Sequence, residues 1–346
     1  MRVCWLTTSY PRDESDAAGA FMRDAVEDLR AAGVDVDVVS PASFNHHGIA
    51  YGAGIVGNLR RSPAKALRLP AFMTAYTRAA RRGAANADLV HAHWLPSGFP
   101  ARATGKPYVL TMHGTDAELA RRAPALFRPV ARAARSVLCV SESLTETARR
   151  LGAREVRVVP VGITVPETTV EPADPPHVLF VGRLSEEKGV LELAEAARGL
   201  PLVVVGDGPL RDRVPGAVGF VPPSELPGFF DRAAVVVCPS RREGYGVVAR
   251  QAMAHARPVV ASAVGGLAEA IVDGENGLLV RPGDVAALRA ALERLLADRG
   301  LRSQLGAAAR ERVRERYSRA VAATLTRGAY EAVLQPEKPE IAGDSV

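Results

Sequence analysis

The chain has 346 residues, of which 47% are hydrophobic and 24% are charged, and its formal net charge is +6. A chain of this length is typical of two domains, and this composition excludes wholesale disorder. The sequence contains no uncharged apolar run long enough to span a bilayer.

Two further features bear on the cellular compartment. The first residues lack the apolar stretch and the small-residue cleavage site of a signal peptide. The three cysteines, Cys4, Cys139 and Cys238, lie far apart and match no metal-binding or redox spacing. We therefore expect a cytoplasmic protein without a disulfide framework and without a zinc site.

The first half of the chain alternates short β-branched runs with helical patterns. The predicted strands are Val3–Thr8, Val34–Ser40, Leu89–His93, Tyr108–His113, Ser136–Val140 and Val156–Val161. One face of a predicted helix that ends at Gly33 is formed by Phe21, Met22, Ala25, Val26 and Leu29. The spacing of Ser143 and Glu146 predicts a capping box at the start of another helix. This alternation predicts βαβ units and a parallel sheet buried on both faces.

The proline-rich stretch Pro166–Pro176 predicts a linker between two domains, residues 1–168 and 169–318. Beyond it the predicted strands are His177–Val181, Leu202–Val205, Ala217–Val221, Val235–Pro239, Pro258–Ser262 and Leu278–Val280. Helices are predicted near Val285–Asp298, Ser303–Tyr317 and Ala320–Leu334, followed by a polar tail, 336–346, that we expect to be disordered. Two such doubly wound α/β domains leave a cleft between the carboxyl ends of their strands, where ligands bind.

The segment 38–87 contains no Asp or Glu. Its basic residues are Arg60, Arg61, Lys65, Arg68, Arg78, Arg81 and Arg82. Such a segment suits anionic lipid head groups or an acidic substrate, and equally a solvated face. Nucleic acid is not expected as a partner, since no basic motif with interleaved aromatic residues accompanies the charges.

Three glycine-rich turns between strand and helix follow one another in the second domain. In the first, Val181–Gly189, Arg183 and Lys188 offer a guanidinium fork and a point charge suited to a diphosphate. The second, Ser240–Met253, opens a helix at about Gly246, whose free N–H groups can hold phosphate oxygens. The third turn is Ala263–Glu269. Three consecutive turns of this kind predict a site for a phosphorylated ligand.

Together these motifs resemble the family 4 retaining glycosyltransferases of the GT-B fold. The matching pieces are GAFMRD, HAHWLPSG, TMHGTD, VGRLSEEKG, VVVGDGPL, SRREGYGVVARQAMAHARPVVAS, GGLAEAI and DGENGLLV. The resemblance covers about residues 2–334. It implies two Rossmann-like domains that face each other across a cleft, with a final helix, about 319–335, that returns to the first domain.

The resemblance also implies roles for individual residues. Catalytic roles would fall to His113, Arg183, Lys188 and Glu243. Further donor-binding positions would be Gly19, Gly182, Phe220, Val221, Gly244, Tyr245, Gly246, Val247 and Gln251. Acceptor-binding positions would be Arg23, His93, Trp94, His113 and Asp116. The implied donor is a nucleoside-diphosphate sugar, and no cofactor and no metal are implied.

Gln251 departs from the family pattern, which has a second glutamate at this position. An amide offers one acceptor oxygen and donates through nitrogen, so a deoxyribose donor such as a dTDP-sugar would lose less from the change. His91 and His93 are expected to be structural or acceptor-lining, because no carboxylate or cysteine lies nearby in sequence and one of the two is expected to face away.

The implied reaction is the transfer of a sugar to a hydroxyl acceptor, with the leaving phosphate taking the proton of the acceptor. The acceptor stays open between a lipid-linked or polysaccharide chain at a membrane surface and a small natural product. Two other functions also stay open. One is a nucleotide-sugar-binding partner subunit or degenerate transferase without turnover, and the other is a nucleotide-sugar epimerase.

Overall fold

The computed structural model describes residues 1–12, 19–51 and 54–335. In these residues the strands are β1 Arg2–Leu6, β2 Asp35–Val39, β3 Leu89–His93, β4 Tyr108–Met112, β5 Ser136–Cys139, β6 Val156–Val158, β7 Val178–Val181, β8 Leu202–Val205, β9 Val235–Cys238, β10 Val259–Ser262 and β11 Leu278–Val280. They form two sheets, in the orders β2-β1-β3-β4-β5-β6 and β11-β10-β9-β7-β8. All strand pairs are parallel. The two predicted parallel-sheet domains are therefore confirmed.

Helices cover the faces of both sheets. Their bounds are α1 Ala20–Ala31, α2 Gly54–Arg61, α3 Leu69–Gly83, α4 Gly98–Ala103, α5 Asp116–Arg122, α6 Pro124–Ala133, α7 Glu142–Arg150, α8 Val190–Ala196, α9 Leu226–Arg232, α10 Val247–Ala254, α11 Gly265–Ala270, α12 Val285–Ala297, α13 Arg299–Arg316 and α14 Arg319–Leu334. Within the part of the chain that the structure describes, we find no helix with the length and apolar character that crossing a bilayer requires.

The central strands are buried over their whole length, as their continuous apolar sequences predict. Every residue of β3, β4 and β5 in the first sheet and of β9 and β10 in the second is buried. Helices on both faces of each sheet exclude water from these strands. The carboxyl ends of the strands, where polar residues begin, are thereby fixed in position.

The predicted strand Ala217–Val221 is wrong. This segment forms one isolated bridge, between Gly206 and Gly219, and no strand. The side chains of Val218 and Phe220 are exposed. The short apolar run that predicted a strand here therefore belongs to neither sheet.

The predicted capping box is also wrong. Helix α7 starts one residue before Ser143, and its N-cap is Ser141, whose side chain makes no capping hydrogen bond. The first two N–H groups of α7, those of Glu142 and Ser143, donate instead to the carboxylate of Glu269, at 2.8 and 2.7 Å. Glu269 lies in α11, so a residue of the second domain caps a helix of the first.

The chain crosses between the domains at two adjacent points. Ile163 N–H donates to the carbonyl of Tyr317 (2.8 Å), and Arg319 N–H donates to the carbonyl of Ile163 (3.2 Å). The segment Pro166–Pro176, predicted as the linker, follows the first crossing and lies on the second domain. Carbonyls of this segment accept hydrogen bonds from Arg257 and Arg310. The junction between the domains is therefore formed by the two chain segments that pair at Ile163 and at Tyr317–Arg319, and not by the proline-rich segment.

Helix α14 packs on the first domain against α1. The guanidinium of Arg319 binds the carboxylate of Asp28 at 2.8 Å. Further along α14, the hydroxyl of Tyr330 accepts from Trp5 Nε1 (2.9 Å) and contacts His91 Nδ1 (2.6 Å). The helix at the end of the second domain is thus anchored in the core of the first. The tail predicted to be disordered, 336–346, lies outside the described residues.

Candidate active site

The first glycine-rich turn brings Lys188 to Glu243. A short 3-10 turn, Glu186–Lys188, follows β7, and Gly189 after it has φ 67°. A Cβ at Gly189 would lie 2.0 Å from the carbonyl oxygen of Pro239, so only glycine allows this approach to the end of β9. Lys188 Nζ donates to Glu243 Oε2 at 2.6 Å, and both side chains are mostly shielded from solvent.

The second turn presents the start of α10 beside this ion pair. The carbonyl of Glu243 accepts from Gly266 N–H (3.1 Å) of the third turn, which fixes the two turns together. Helix α10 begins at Val247, directly after Gly246. Because the first N–H groups of a helix have no acceptor within the helix, they are available to a phosphate here.

Two predicted donor residues lie at this edge without a protein partner. The side chain of Arg183 is exposed and that of Gln251 is half-buried, and neither makes a hydrogen bond to the described residues. Among the other predicted donor positions, Gly182 and Val221 are half-buried and Phe220 is 64% exposed. The side chains of Arg183, Phe220 and Gln251 are therefore accessible to a ligand.

Tyr245 presents only its backbone to this edge. Its buried side chain points toward the domain junction, where the hydroxyl donates to the carbonyl of Val161 (2.6 Å). The guanidinium of Arg250 lies 3.9 Å from the centre of the Tyr245 ring and 4.3 Å from that of Tyr317. Tyr245 thus connects the donor-side turn to the crossing of the two domains.

Across the cleft, the carboxyl ends of β3 and β4 carry Trp94 and His113. The rings of Trp94 and His113 lie 4.4 Å apart, with Phe21 of α1 5.6 Å from His113. His113 Nε2 contacts His93 Nδ1 at 3.2 Å. The rings of these residues therefore form an aromatic and imidazole surface on the first-domain side of the site.

Two other predicted residues of the first domain lie at the start of α1. Gly19 is the N-cap of α1, with φ 80°, and Arg23 is half-buried in the first turn of that helix. The residues just before Gly19, 13–18, lie outside the described part of the chain.

Asp116, predicted to bind the acceptor, is completely buried. Its carboxylate accepts N–H groups from Leu95 (2.8 Å) and His113 (2.6 Å). Burial raises the pKa of Asp116 to about 7, and these two hydrogen bonds act in the opposite direction. Its position corrects the prediction, because a side chain enclosed in this way has no access to a ligand.

His91 and His93 share one face of β3, so the expectation that one faces away is wrong. Side chains at i and i+2 of a strand lie on the same side. Their ring centres are 4.0 Å apart. Both line a cavity of about 60 Å³ beneath α1, and the buried His93 Nε2 has no hydrogen-bond partner among the described residues.

The hydrogen bonds of His91 fix its tautomer. Trp5 Nε1–H can only donate, so the Tyr330 hydroxyl accepts from it and donates its own proton to His91 Nδ1. His91 Nε2–H then donates to Thr111 Oγ1 at 2.6 Å. His91 is therefore a structural residue that connects α14 to the sheet.

The three clustered histidines are neutral at physiological pH. Burial lowers the pKa of His91 and of His113 to about 3, and it lowers the pKa of His93 well below its usual range. A histidine with a lowered pKa in the folded state stabilises the fold fully above its unfolded pKa of about 6.5, and this stability is lost as the pH falls.

We expect the free energy of unfolding to fall by about 2 kcal/mol for each such histidine between pH 7 and pH 5. Replacing His91 with glutamine keeps an acceptor and a donor but removes the titration. Urea unfolding at the two pH values should show a pH effect smaller by about 2 kcal/mol in His91→Gln. His47→Gln, in a loop, is the control. An unchanged pH effect in His91→Gln would contradict the neutral burial of this residue.

The two sides of the site meet at a pair of glycines. A Cβ at Gly244 would lie 2.3 Å from the Cα of Gly114, so the two backbones touch. His113 and Glu243 each directly precede one of these glycines. The exposed ion pair of Arg242 with Glu118 (3.9 Å) bridges the cleft alongside. The cleft is therefore closed at this point, with His113 opposite the Lys188–Glu243 pair.

Sequence reasoning missed two residues that build the site. Gly114 lies in the motif TMHGTD, but only the close approach of Gly244 in the structure shows why a glycine is needed there. Glu269 lies in the third turn, and its capping of α7 depends on a contact with residues more than a hundred positions earlier. Among the described residues, no group of three or more His, Cys, Asp or Glu has the arrangement of a metal site.

Two parallel-sheet α/β domains, with glycine-rich turns on one side of a shared cleft, are typical of a glycosyltransferase of the GT-B fold. Family models agree with this class over both halves: residues 18–165 match "Glycosyltransferase Family 4" and residues 175–298 match "Glycosyl transferases group 1". The chain belongs to the family 4, group 1 glycosyltransferases, and it is a glycosyltransferase enzyme.

Individual relatives support this assignment. The chain is 34% identical to the D-inositol 3-phosphate glycosyltransferase of Acidothermus cellulolyticus, over 84% of this chain and 80% of the relative. Sucrose-phosphate synthase from Thermosynechococcus elongatus has a TM-score of 0.77 at 26% identity, covering 96% of this chain and 98% of that one. HepE of Anabaena, solved with UDP-glucose, has the same fold, with a TM-score of 0.74 at 18% identity, over 96% of this chain and all (100%) of that one.

Proposed function

We propose that the protein is a retaining transferase that moves a sugar from a nucleoside-diphosphate sugar to a hydroxyl acceptor without a metal ion. The observation that carries the proposal is the Lys188–Glu243 pair at the start of α10, which faces His113 across the closed cleft. A diphosphate needs fixed positive charge as it leaves, and a sugar needs hydrogen-bond acceptors beside it. This edge supplies both.

Lys188 and Arg183 would hold the diphosphate, together with the N–H groups at the start of α10. When the diphosphate engages Lys188, Glu243 is released to accept hydrogen bonds from the hydroxyls of the sugar. The bond from the anomeric carbon to the phosphate oxygen then breaks as charge grows on the diphosphate, and the fixed cations stabilise that charge. The acceptor oxygen forms its bond on the same face, and its proton passes to the departing phosphate oxygen.

The test is release of nucleoside diphosphate from nucleotide sugars, with the anomeric configuration of the product followed by NMR. UDP-glucose is the first donor to try, because HepE was solved with it. Turnover with retention supports the proposal. Epimerised donor that incorporates solvent deuterium would support the epimerase instead, and binding without turnover on any acceptor would support a partner subunit.

Gln251 is expected to decide between a ribose and a deoxyribose donor. The half-buried amide of Gln251 has no partner among the described residues and lies about one turn beyond the start of α10. We propose a preference for dTDP over UDP, since an amide accepts fewer hydroxyl hydrogen bonds than a carboxylate.

Replacing Gln251 with glutamate should shift the affinity ratio toward UDP by about tenfold, the value of one hydrogen bond to a charged group. Calorimetric titration of UDP and dTDP into the wild type and Gln251→Glu measures that ratio. Glu275→Gln, a change of the same kind in a distant loop, is the control. A wild type that binds UDP much more tightly than dTDP would contradict the preference.

A lipid-linked acceptor is the acceptor class with a specific observation in its favour. In the acid-free segment 38–87, Leu67 is 85% exposed in a short 3-10 turn, Pro63–Arg68, between α2 and α3. Arg61 and Arg68 flank it and are also exposed. An apolar side chain framed by cations suits an anionic membrane surface.

We expect the wild type to co-sediment with vesicles that contain phosphatidylglycerol. Leu67→Glu should reduce the bound fraction by about tenfold, because it removes an apolar contact and adds repulsion. Leu126→Glu, in α6, makes the same change at another exposed leucine (55%) and is the control. Equal binding by Leu67→Glu, or no binding by the wild type, would favour a small soluble acceptor.

A further inference from the structure

The chain is strained where it leaves β3. Trp94 has φ 65° and ψ 145°, a conformation that only glycine adopts without cost. The carbonyl of Thr111 on the neighbouring strand accepts the Trp94 N–H at 2.9 Å. Strain of this kind persists only where surrounding contacts over-determine the conformation, and it clusters at functional sites.

The contact that fixes this strained residue comes from Asp116. One carboxylate oxygen accepts the N–H of Leu95, directly after Trp94, at 2.8 Å. The other accepts the N–H of His113 at 2.6 Å. A single buried carboxylate therefore joins the chain just beyond β3 to the chain just beyond β4. The distance between Trp94 and His113 depends on this bridge.

Beside the Asp116 bridge, the ring of Trp94 packs against the ring of His113. The planes of the Trp94 and His113 rings are 33° apart and their centres 4.4 Å apart, while Phe21 lies 6.4 Å from Trp94. Trp94 is half-buried, whereas His113 is 9% exposed and Asp116 is completely buried. Of these three side chains, that of Trp94 is the most accessible to a ligand.

We propose that Asp116 is a positioning residue, which holds Trp94 against His113 so that the Trp94 ring forms a fixed platform for the acceptor. This role rests on the proposed transfer reaction. An aromatic face offers a sugar or cyclitol ring an apolar surface whose orientation must be set before the acceptor hydroxyl can meet the anomeric carbon. Asp116 acts only through the residues that it holds.

The first test needs no substrate. The chain has two tryptophans, and Trp5 is 2% exposed, so quenching of fluorescence by acrylamide reports mainly on Trp94. Asp116→Asn keeps the shape of the side chain but turns an NH₂ toward one of the two N–H donors. We expect the quenching constant to rise by about twofold, because one buried hydrogen bond is lost. Asp298→Asn, at the N-cap of α13, is the matched control. Unchanged quenching in Asp116→Asn would overturn the proposal.

The second test is a double-mutant cycle on sugar transfer. Asp116→Asn should slow transfer by about tenfold and raise the KM for the acceptor more than that for the donor. In a Trp94→Ala background the same change should have a smaller effect, since one of the two residues through which Asp116 acts is gone. An equal loss in both backgrounds would overturn the proposal.

If Asp116→Asn fails to fold, hydrogen exchange of the wild type tests the bridge directly. The amides of Leu95 and His113 should then be protected although neither lies in a ladder of its own. Rapid exchange at both would overturn the bridge. A wild type that transfers no sugar while quenching changes as expected would refute the proposed function and leave the bridge intact.

Discussion

Replacing Lys188 with methionine should lower the rate of sugar transfer by about a hundredfold to a thousandfold, the usual cost of removing one group that stabilises transition-state charge. Methionine fills similar space, so the loss reports on the ammonium group. Lys188 donates to Glu243 at 2.6 Å and would move to the diphosphate when the donor binds.

Lys106→Met, in the turn before the amino end of β4 in the first domain, is the matched lysine control. The measurement is release of nucleoside diphosphate in the presence of acceptor, with the KM for the donor recorded separately. A rate within about threefold of the wild type, less than the 1 kcal/mol of an ordinary hydrogen bond, would show that Lys188 carries no leaving-group charge.

Replacing Gly244 with alanine should abolish closure of the cleft. The added Cβ would lie 2.3 Å from the Cα of Gly114, far inside any van der Waals contact. The atoms that it meets are backbone atoms of Gly114, which have little freedom to move. A displacement of about 1 Å at the reacting atoms costs about a hundredfold in rate. Binding of the free nucleotide should change little, since Lys188 and α10 both belong to the second domain.

Gly328→Ala, in α14, is the control, because a Cβ there meets nothing within 4 Å. Transfer rate and nucleotide affinity are measured for both variants. Transfer by Gly244→Ala at the wild-type rate would show that the contact between Gly114 and Gly244 is not part of the reacting conformation. Loss of nucleotide binding together with rate would show that Gly244 acts on the donor alone.

Much of the fold follows from local sequence. Strands such as β4 and β9 are continuous apolar runs, and these are distinctive because a strand covered on both faces needs no polar residue. The turns after β7 and β9 are marked in the sequence by glycines, and at Gly189 a Cβ would collide with the carbonyl oxygen of Pro239. Local patterns of this kind can be recognised in the sequence of the segment itself, without knowing which other segment packs against it.

The parts that sequence reasoning missed depend on distant contacts. Ser143 is not an N-cap, because the cap of α7 comes from Glu269 in the other domain. Asp116 had the polarity of a ligand-binding residue, and only packing shows that backbone groups enclose it. The segment Ala217–Val221 is a short apolar run of the kind that predicts a strand, yet the side chains of Val218 and Phe220 are exposed. For α7 and for Asp116 the deciding contacts are tertiary ones that a local pattern does not show, and for the third segment the two exposed side chains lack the packing that a covered strand needs.

The central claim, that the second domain holds a nucleoside diphosphate at Lys188 and the start of α10, is tested most directly by thermal unfolding with UDP, GDP, dTDP, ADP and CDP. A nucleotide at a hundred times its Kd adds about 2.7 kcal/mol to the free energy of unfolding, which raises Tm visibly. We predict that at least one nucleotide stabilises the wild type in this way and that Lys188→Met loses most of the shift. No increase in Tm with any of the five would contradict the claim and favour a degenerate donor site.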